Sequence, residues 1–176
     1  MTTPASHDFG GDWTTDKLNR IRKYLKAYAT IFNHNPGAQR LESIYADAFA
    51  GTGYRTREPI SGEQSSFLEE FTSDETQDFL KGSARIALEV EPSFKRYLFI
   101  EKRPKNIREL EQLKNEFPAK ASRIHIEHAE ANTYLTDWCK RTDWRRSRAV
   151  VFLDPYGMQV KWALIQAIAA THAIDL

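Results

Sequence analysis

From Leu41 onward, short apolar segments alternate with amphipathic ones, and no other feature narrows the fold so far. RLESIYADAFA, RYLFIEK, RIHIEHAEA and AVVFLDPYG have the β-branched and aromatic content of buried strands. Between them, GSARIALEVEPSF, the stretch opened by Pro104, and NTYLTDWCKR read as helices. WALIQAIAATHA is a further helix, and IDL starts a fifth strand. Strand and helix in turn predict an α/β domain with a mostly parallel sheet covered by helices on both faces. Ahead of it, Leu18, Ile21, Leu25, Tyr28 and Phe32 recur at helical spacing. WTTDKLNRIRKYLKAYATIF therefore predicts an amphipathic helix with a Thr/Asp cap signal, stopped by NHNPG. Residues 1–12 read as a flexible arm and 13–176 as one domain. Within it, the polar stretch 54–81 is either a lid or a surface insertion, with a short helix around Phe67 to Phe71.

Ligands of parallel α/β sheets bind at the carboxyl ends of the strands. That rule gives meaning to four acids, because Asp47, Glu101, Glu130 and Asp154 each fall at or just past the end of a different predicted strand. After Asp47 comes AFAGTG, where Gly51 and Gly53 clear Cβ atoms from the loop and permit positive φ. Either this is a bare turn, or something approaches the backbone closely. A dinucleotide is disfavoured. GTGYRT lacks the third glycine of the dinucleotide fingerprint, it runs into a polar segment, and Glu101 lies far beyond the usual interval of about twenty residues. A zwitterionic nucleoside fits better, since it needs bare backbone at its head and carboxylates for an ammonium and ribose hydroxyls.

The totals name no partner. The 176 residues carry a net charge of +1, so any nucleic acid would be held by a local patch. Lys140, Arg141, Arg145, Arg146 and Arg148, interleaved with Trp138 and Trp144, form such a patch or else a solvated helix end. The single cysteine, Cys139, excludes an internal disulfide and reads as a buried, idle thiol. His125 and His128 have no matching cluster, so no metal is expected. Trp138, Trp144 and Trp162 read as core or helix-packing residues. Without a membrane-length apolar run or a signal-peptide pattern, the chain reads as soluble and cytoplasmic, with no membrane contact.

The order DAFAGTG, LFIEK, HAEAN, VVFLDPYG resembles the motif series of Rossmann-like, class I S-adenosylmethionine-dependent methyltransferases. More narrowly, the N-terminal helix, the YADAFAGTG strand and loop, the GSARIAL helix, FIEKRP and LDPYG are similar to the three-Cys-motif partner protein (TcmP) family, from Trp13 to Leu176. The resemblance implies S-adenosylmethionine as cofactor. Asp47, Phe49, Gly51 and Gly53 would form the loop around its methionine end. Glu101 would accept both ribose hydroxyls, and Lys102, Ala129 and Glu130 would lie by the adenine. Asp154, Pro155 and Tyr156 would line the acceptor side, Asp154 and Tyr156 being the catalytic pair and Asp154 and Pro155 also bordering the cofactor. Alternatives stay open from the residues themselves: Glu101 as a solvated helix start, Glu130 as a helix cap, Asp154 to Tyr156 as a plain turn. LDPYG also departs from the base-methylating pattern in having one proline, with Gly157 after the tyrosine. The implied function is methyl transfer to an unidentified acceptor, nucleic acid or protein. The alternative is a non-catalytic cofactor-binding module that partners a three-Cys-motif radical-S-adenosylmethionine-like protein. A sheet of this type has seven strands, so the chain is expected to be truncated at its fifth.

Overall fold

A computed structural model describes residues 11–51, 74–155 and 158–176, with side chains from Asn19 to Gly51 and from Gly82 onward within those spans. The elements are α1 (Gly11–His34), β1 (Glu42–Asp47), α2 (Asp74–Glu89), β2 (Arg96–Glu101), α3 (Pro104–Glu116), β3 (Ile124–His128), α4 (Ala131–Arg141), β4 (Ser147–Phe152), α5 (Trp162–Thr171) and β5 (Ile174–Asp175). Short 3-10 turns precede β1 and β3. The five strands form one parallel sheet in the order β3-β2-β1-β4-β5, a Rossmann-like arrangement.

Two helices differ from the sequence reading. Helix α1 begins at Gly11, so the Thr14–Asp16 cap signal lies inside it. Helix α2 starts at Asp74, eight residues ahead of the GSARIAL stretch, and stops at Glu89, leaving Val90 to Lys95 as a loop that buries Phe94. Helical backbone therefore takes residues 74–81 out of the expected polar insertion. The expected short helix near Phe67 lies outside the described residues.

Strand period two distributes the core. In β1, Tyr45 faces one side while Ile44 and Ala46 face the other; in β2, Tyr97 and Phe99 oppose Leu98 and Ile100. Leu25, Tyr28 and Phe32 of α1, Ala84 and Ala87 of α2, and Leu110 and Leu113 of α3 cover the first side. Leu135 and Trp138 of α4 with Leu164 and Ile168 of α5 cover the second. The chain travels β1-β2-β3 in one direction, then returns across β1 to β4 and β5. With crossovers of one hand, that reversal sends the later helices to the opposite face. The reversal point lies between β1 and β4, where neighbouring strands are followed by chain that departs in opposite directions.

Candidate functional site

The loop after β1 is stitched across this reversal point. Asp47 is in register with Phe99 of β2 on one side and with Phe152 of β4 on the other. The Ala48 N–H then donates to the Phe152 carbonyl at 3.1 Å, and two residues on the Ala50 N–H donates to the Ile100 carbonyl at 3.1 Å. The backbone thus swings from β4 to β2 in a few residues, and Gly51 completes the bend at φ 62°. An L side chain is strained at that φ, which accounts for the glycine. Gly53 lies outside the described residues.

Asp47 shares its strand face with Tyr45 and so points beneath α2, with 0% of its surface exposed. Its Oδ2 accepts the Ser83 hydroxyl at 2.7 Å and, weakly, the Tyr45 hydroxyl at 3.5 Å; its Oδ1 accepts the Phe49 N–H at 3.2 Å. Burial pushes the carboxyl up to about 7. The three donors oppose the rise, and the nearby Asp154 charge adds to it. Asp47 therefore shapes the loop from below, by holding the backbone that anything above would meet.

Glu101 ends β2 half-buried. Its Oε1 accepts the Arg103 N–H at 2.7 Å, whereas Oε2 accepts no hydrogen bond among the described residues. Lys102 is exposed, and its carbonyl accepts from His128 Nε2 at 2.9 Å, which gives His128 a structural task. The Ala129 N–H donates to the Glu101 carbonyl at 3.1 Å, extending the β2–β3 ladder by one bond. Glu130 is the N-cap of α4. Its two oxygens take the N–H groups of Asn132 (3.0 Å) and Thr133 (2.9 Å), the Asn132 side-chain amide (2.7 Å) and the Thr133 hydroxyl (2.8 Å). Burial raises this acid, but the hydrogen bonds outweigh it and hold the carboxyl down at about 2. Its acceptor capacity is spent on the cap, and any contact of this segment with a bound base falls to the backbone.

Asp154 and Pro155 follow β4 and are half-buried, with Asp154 close enough to Asp47 to raise its proton affinity. Phe49 packs half-buried against the α4–α5 side of the core, alongside Ala129 and Leu153. Tyr156 lies outside the described residues. The edge thus brings together Asp47, Phe49, Gly51, Glu101, Ala129, Glu130 and Asp154 from the ends of four strands.

Two residues that the sequence reading passed over organise these loops. Ser83 anchors Asp47. Asn132, also buried, bridges the β3 and β4 exits: its amide donates to the Gln159 carbonyl at 3.0 Å, and its Oδ1 accepts the Lys161 N–H at 2.8 Å. The available signal is the same in both cases, a small polar residue on an otherwise apolar helical stripe. Ser83 precedes Ile86, Ala87 and Val90; Asn132 precedes Leu135 and Cys139.

The other candidates fare differently. Trp138 is buried and packs edge-on with Trp144 at 4.9 Å, and the Trp144 indole donates to the Cys139 carbonyl. Arg148 donates to the carbonyls of Trp144 and Ser147, and the Arg141 guanidinium lies over Tyr134, leaving Lys140, Arg145 and Arg146 as an exposed fringe. Trp162, expected in the core or in helix packing, is 72% exposed at the first turn of α5; the buried stripe there is Leu164 and Ile168. Burial pushes the Cys139 thiol up to about 11, the wrong direction for a nucleophile. Among the described residues no cluster of His, Cys, Asp or Glu could hold a metal, and no helix is long and apolar enough to cross a membrane. A groove of about 500 Å³ opens at the opposite, amino edge beside α4. Within it Arg96 pairs with Glu42 at 2.7 Å and the Arg141 guanidinium lies over the Tyr134 ring; the carboxyl edge, where parallel α/β sheets take their ligands, is the stronger candidate. No protein-family model matches the chain, and no curated protein matches its sequence.

Proposed function

We propose that the chain binds S-adenosylmethionine at the carboxyl edge of its sheet and transfers the methyl group to an acceptor, nucleic acid or protein, brought to the Asp154 side. One observation carries the reading: a left-handed glycine bend sits at the strand-order reversal, tied to β4 and β2, with a half-buried carboxylate at the end of the adjoining strand. The donor set fits such a ligand. Glu101 Oε2 has acceptor capacity for ribose hydroxyls, the loop at Ala50 and Gly51 offers close backbone, and the Asp47 carboxylate beneath that loop favours a cationic head above it.

When bound, the cofactor supplies an electrophilic methyl on a sulfonium. The residues of the chain supply alignment, which can be worth roughly 7–11 kcal/mol of barrier. Asp154, leaving β4 beside the bend, is the group placed to orient an acceptor nucleophile or take its proton. Resemblance to the three-Cys-motif partner family also suggests that the chain works alongside a cysteine-bearing radical-S-adenosylmethionine-like protein.

Calorimetric titration tests the cofactor. S-Adenosylmethionine should bind and NAD should not, and the reverse result would replace methyl transfer with another nucleotide chemistry. A methyl-transfer assay against nucleic acid and cell extract then tests catalysis; cofactor binding without transfer would leave a binding module.

A further inference from the structure

Ser83 lies in the middle of a chain of contacts running from α2 to the bend. Its side chain is 0% exposed on the stripe that α2 lays against the sheet. The hydroxyl reaches Asp47 Oδ2 at 2.7 Å across 36 residues of sequence, the shortest of the three bonds to that carboxylate. Oδ1 on the far side receives the Phe49 N–H, two residues before Gly51. The carboxylate is rigid and planar, so fixing one oxygen fixes the direction of the other.

We propose that Ser83 is a positioning residue of the carboxyl-edge site: by orienting the Asp47 carboxylate it ties the backbone bend at Phe49 to Gly51 to the docking of helix α2.

A consequence for ligand binding deepens the cofactor proposal and rests on it. The groups facing Asp47 are Tyr45 from β1, Ser83 from α2, the Phe49 amide from the loop and Asp154 beyond β4. The first three donate and favour the ionised acid; Asp154 disfavours it. A cationic head group above the loop favours the ionised acid too, so head-group binding and proton loss from Asp47 reinforce one another. Affinity should therefore rise as pH passes upward through about 7.

The test separates the two layers. Carbon-13 NMR of the Asp47 carboxyl, assigned by its disappearance in Asp47→Asn, reads the proton directly. Amide exchange at Phe49 reads the bend. In Ser83→Ala the carboxyl should titrate roughly one pH unit higher, and Phe49 exchange should quicken roughly tenfold. Ser83→Thr, which keeps the hydroxyl, should restore both, and Tyr45→Phe, which removes a longer bond, should move them less. A folded Ser83→Ala protein with wild-type titration and exchange overturns the positioning role. Calorimetry with S-adenosylmethionine between pH 6 and 8 should show roughly tenfold tighter binding at the upper end, with the Ser83→Ala curve displaced upward in pH. Absence of binding to the wild type at every pH would defeat the cofactor proposal, while the NMR result would still decide the role of Ser83.

Discussion

The Oδ1 of Asn132 accepts the backbone N–H of Lys161 at 2.8 Å, joining the first turn of α4 to the chain that has just left β4. The same side chain donates to the Gln159 carbonyl and to Glu130. One buried amide therefore sets the spacing between the exits of β3 and β4. In the proposed site these are the adenine side and the acceptor side.

Asn132→Ala should destabilise the fold by roughly 1–3 kcal/mol, as partly buried groups lose their partners. Urea unfolding measures the loss. Hydrogen exchange at the Lys161 amide should accelerate more than exchange elsewhere on α5, and uniform acceleration would argue against a local clasp.

Asp47 binds its proton more tightly in the fold than in the unfolded chain, where its value is 3.8. Its contribution to stability is complete below that pH and is lost as pH rises toward about 7, a change of roughly 4 kcal/mol from the three-unit gap. Asp47→Asn cannot ionise. The stability difference between variant and wild type should move in the variant's favour from pH 4 to 7. A constant difference across that range would mean that Asp47 is already ionised at pH 4.

Glu130 has the opposite sign. Its folded value of about 2 lies below the ordinary 4.5, so its contribution is present above 4.5 and disappears as pH falls toward 2. Glu130→Gln should cost about 1 kcal/mol at neutral pH, as for a weakened helix cap, and almost nothing near pH 2. Chemical denaturation at the two pH values checks this.

Glu101→Ala should weaken S-adenosylmethionine by roughly 2–3 kcal/mol, or about 30- to 150-fold in Kd, if both ribose hydroxyls donate to that carboxylate. An unchanged Kd would remove Glu101 from the ligand and leave it with its bond to the Arg103 N–H.

Asp154→Ala should abolish methyl transfer and leave cofactor affinity within about threefold, because its proposed partner is the acceptor. It should also lower the pH at which Asp47 titrates, since a like charge has been removed. Loss of cofactor binding instead would reassign Asp154 to the cofactor.

Strand and helix order, the parallel sheet and the gathering of acids at one edge could all be read from periodicity. Burial on both faces of a parallel sheet, and the 3.6-residue stripe of a surface helix, are written into the order of apolar residues along the chain. The ends of α1 and α2 were less legible, because polar first turns carry no such stripe. What each acid does was only partly legible: the cap role of Glu130 stood as one reading among two, and nothing marked Asp47 for burial. Four carboxylates look alike in sequence, yet Asp47 is sealed beneath α2, Glu130 is consumed by the cap of its own helix, and Glu101 keeps an oxygen available. Those outcomes depend on donors brought from far along the chain, such as Ser83, or on the geometry of one helix turn. Only packing the helices onto the sheet decides which oxygen meets a donor and which is left for a ligand.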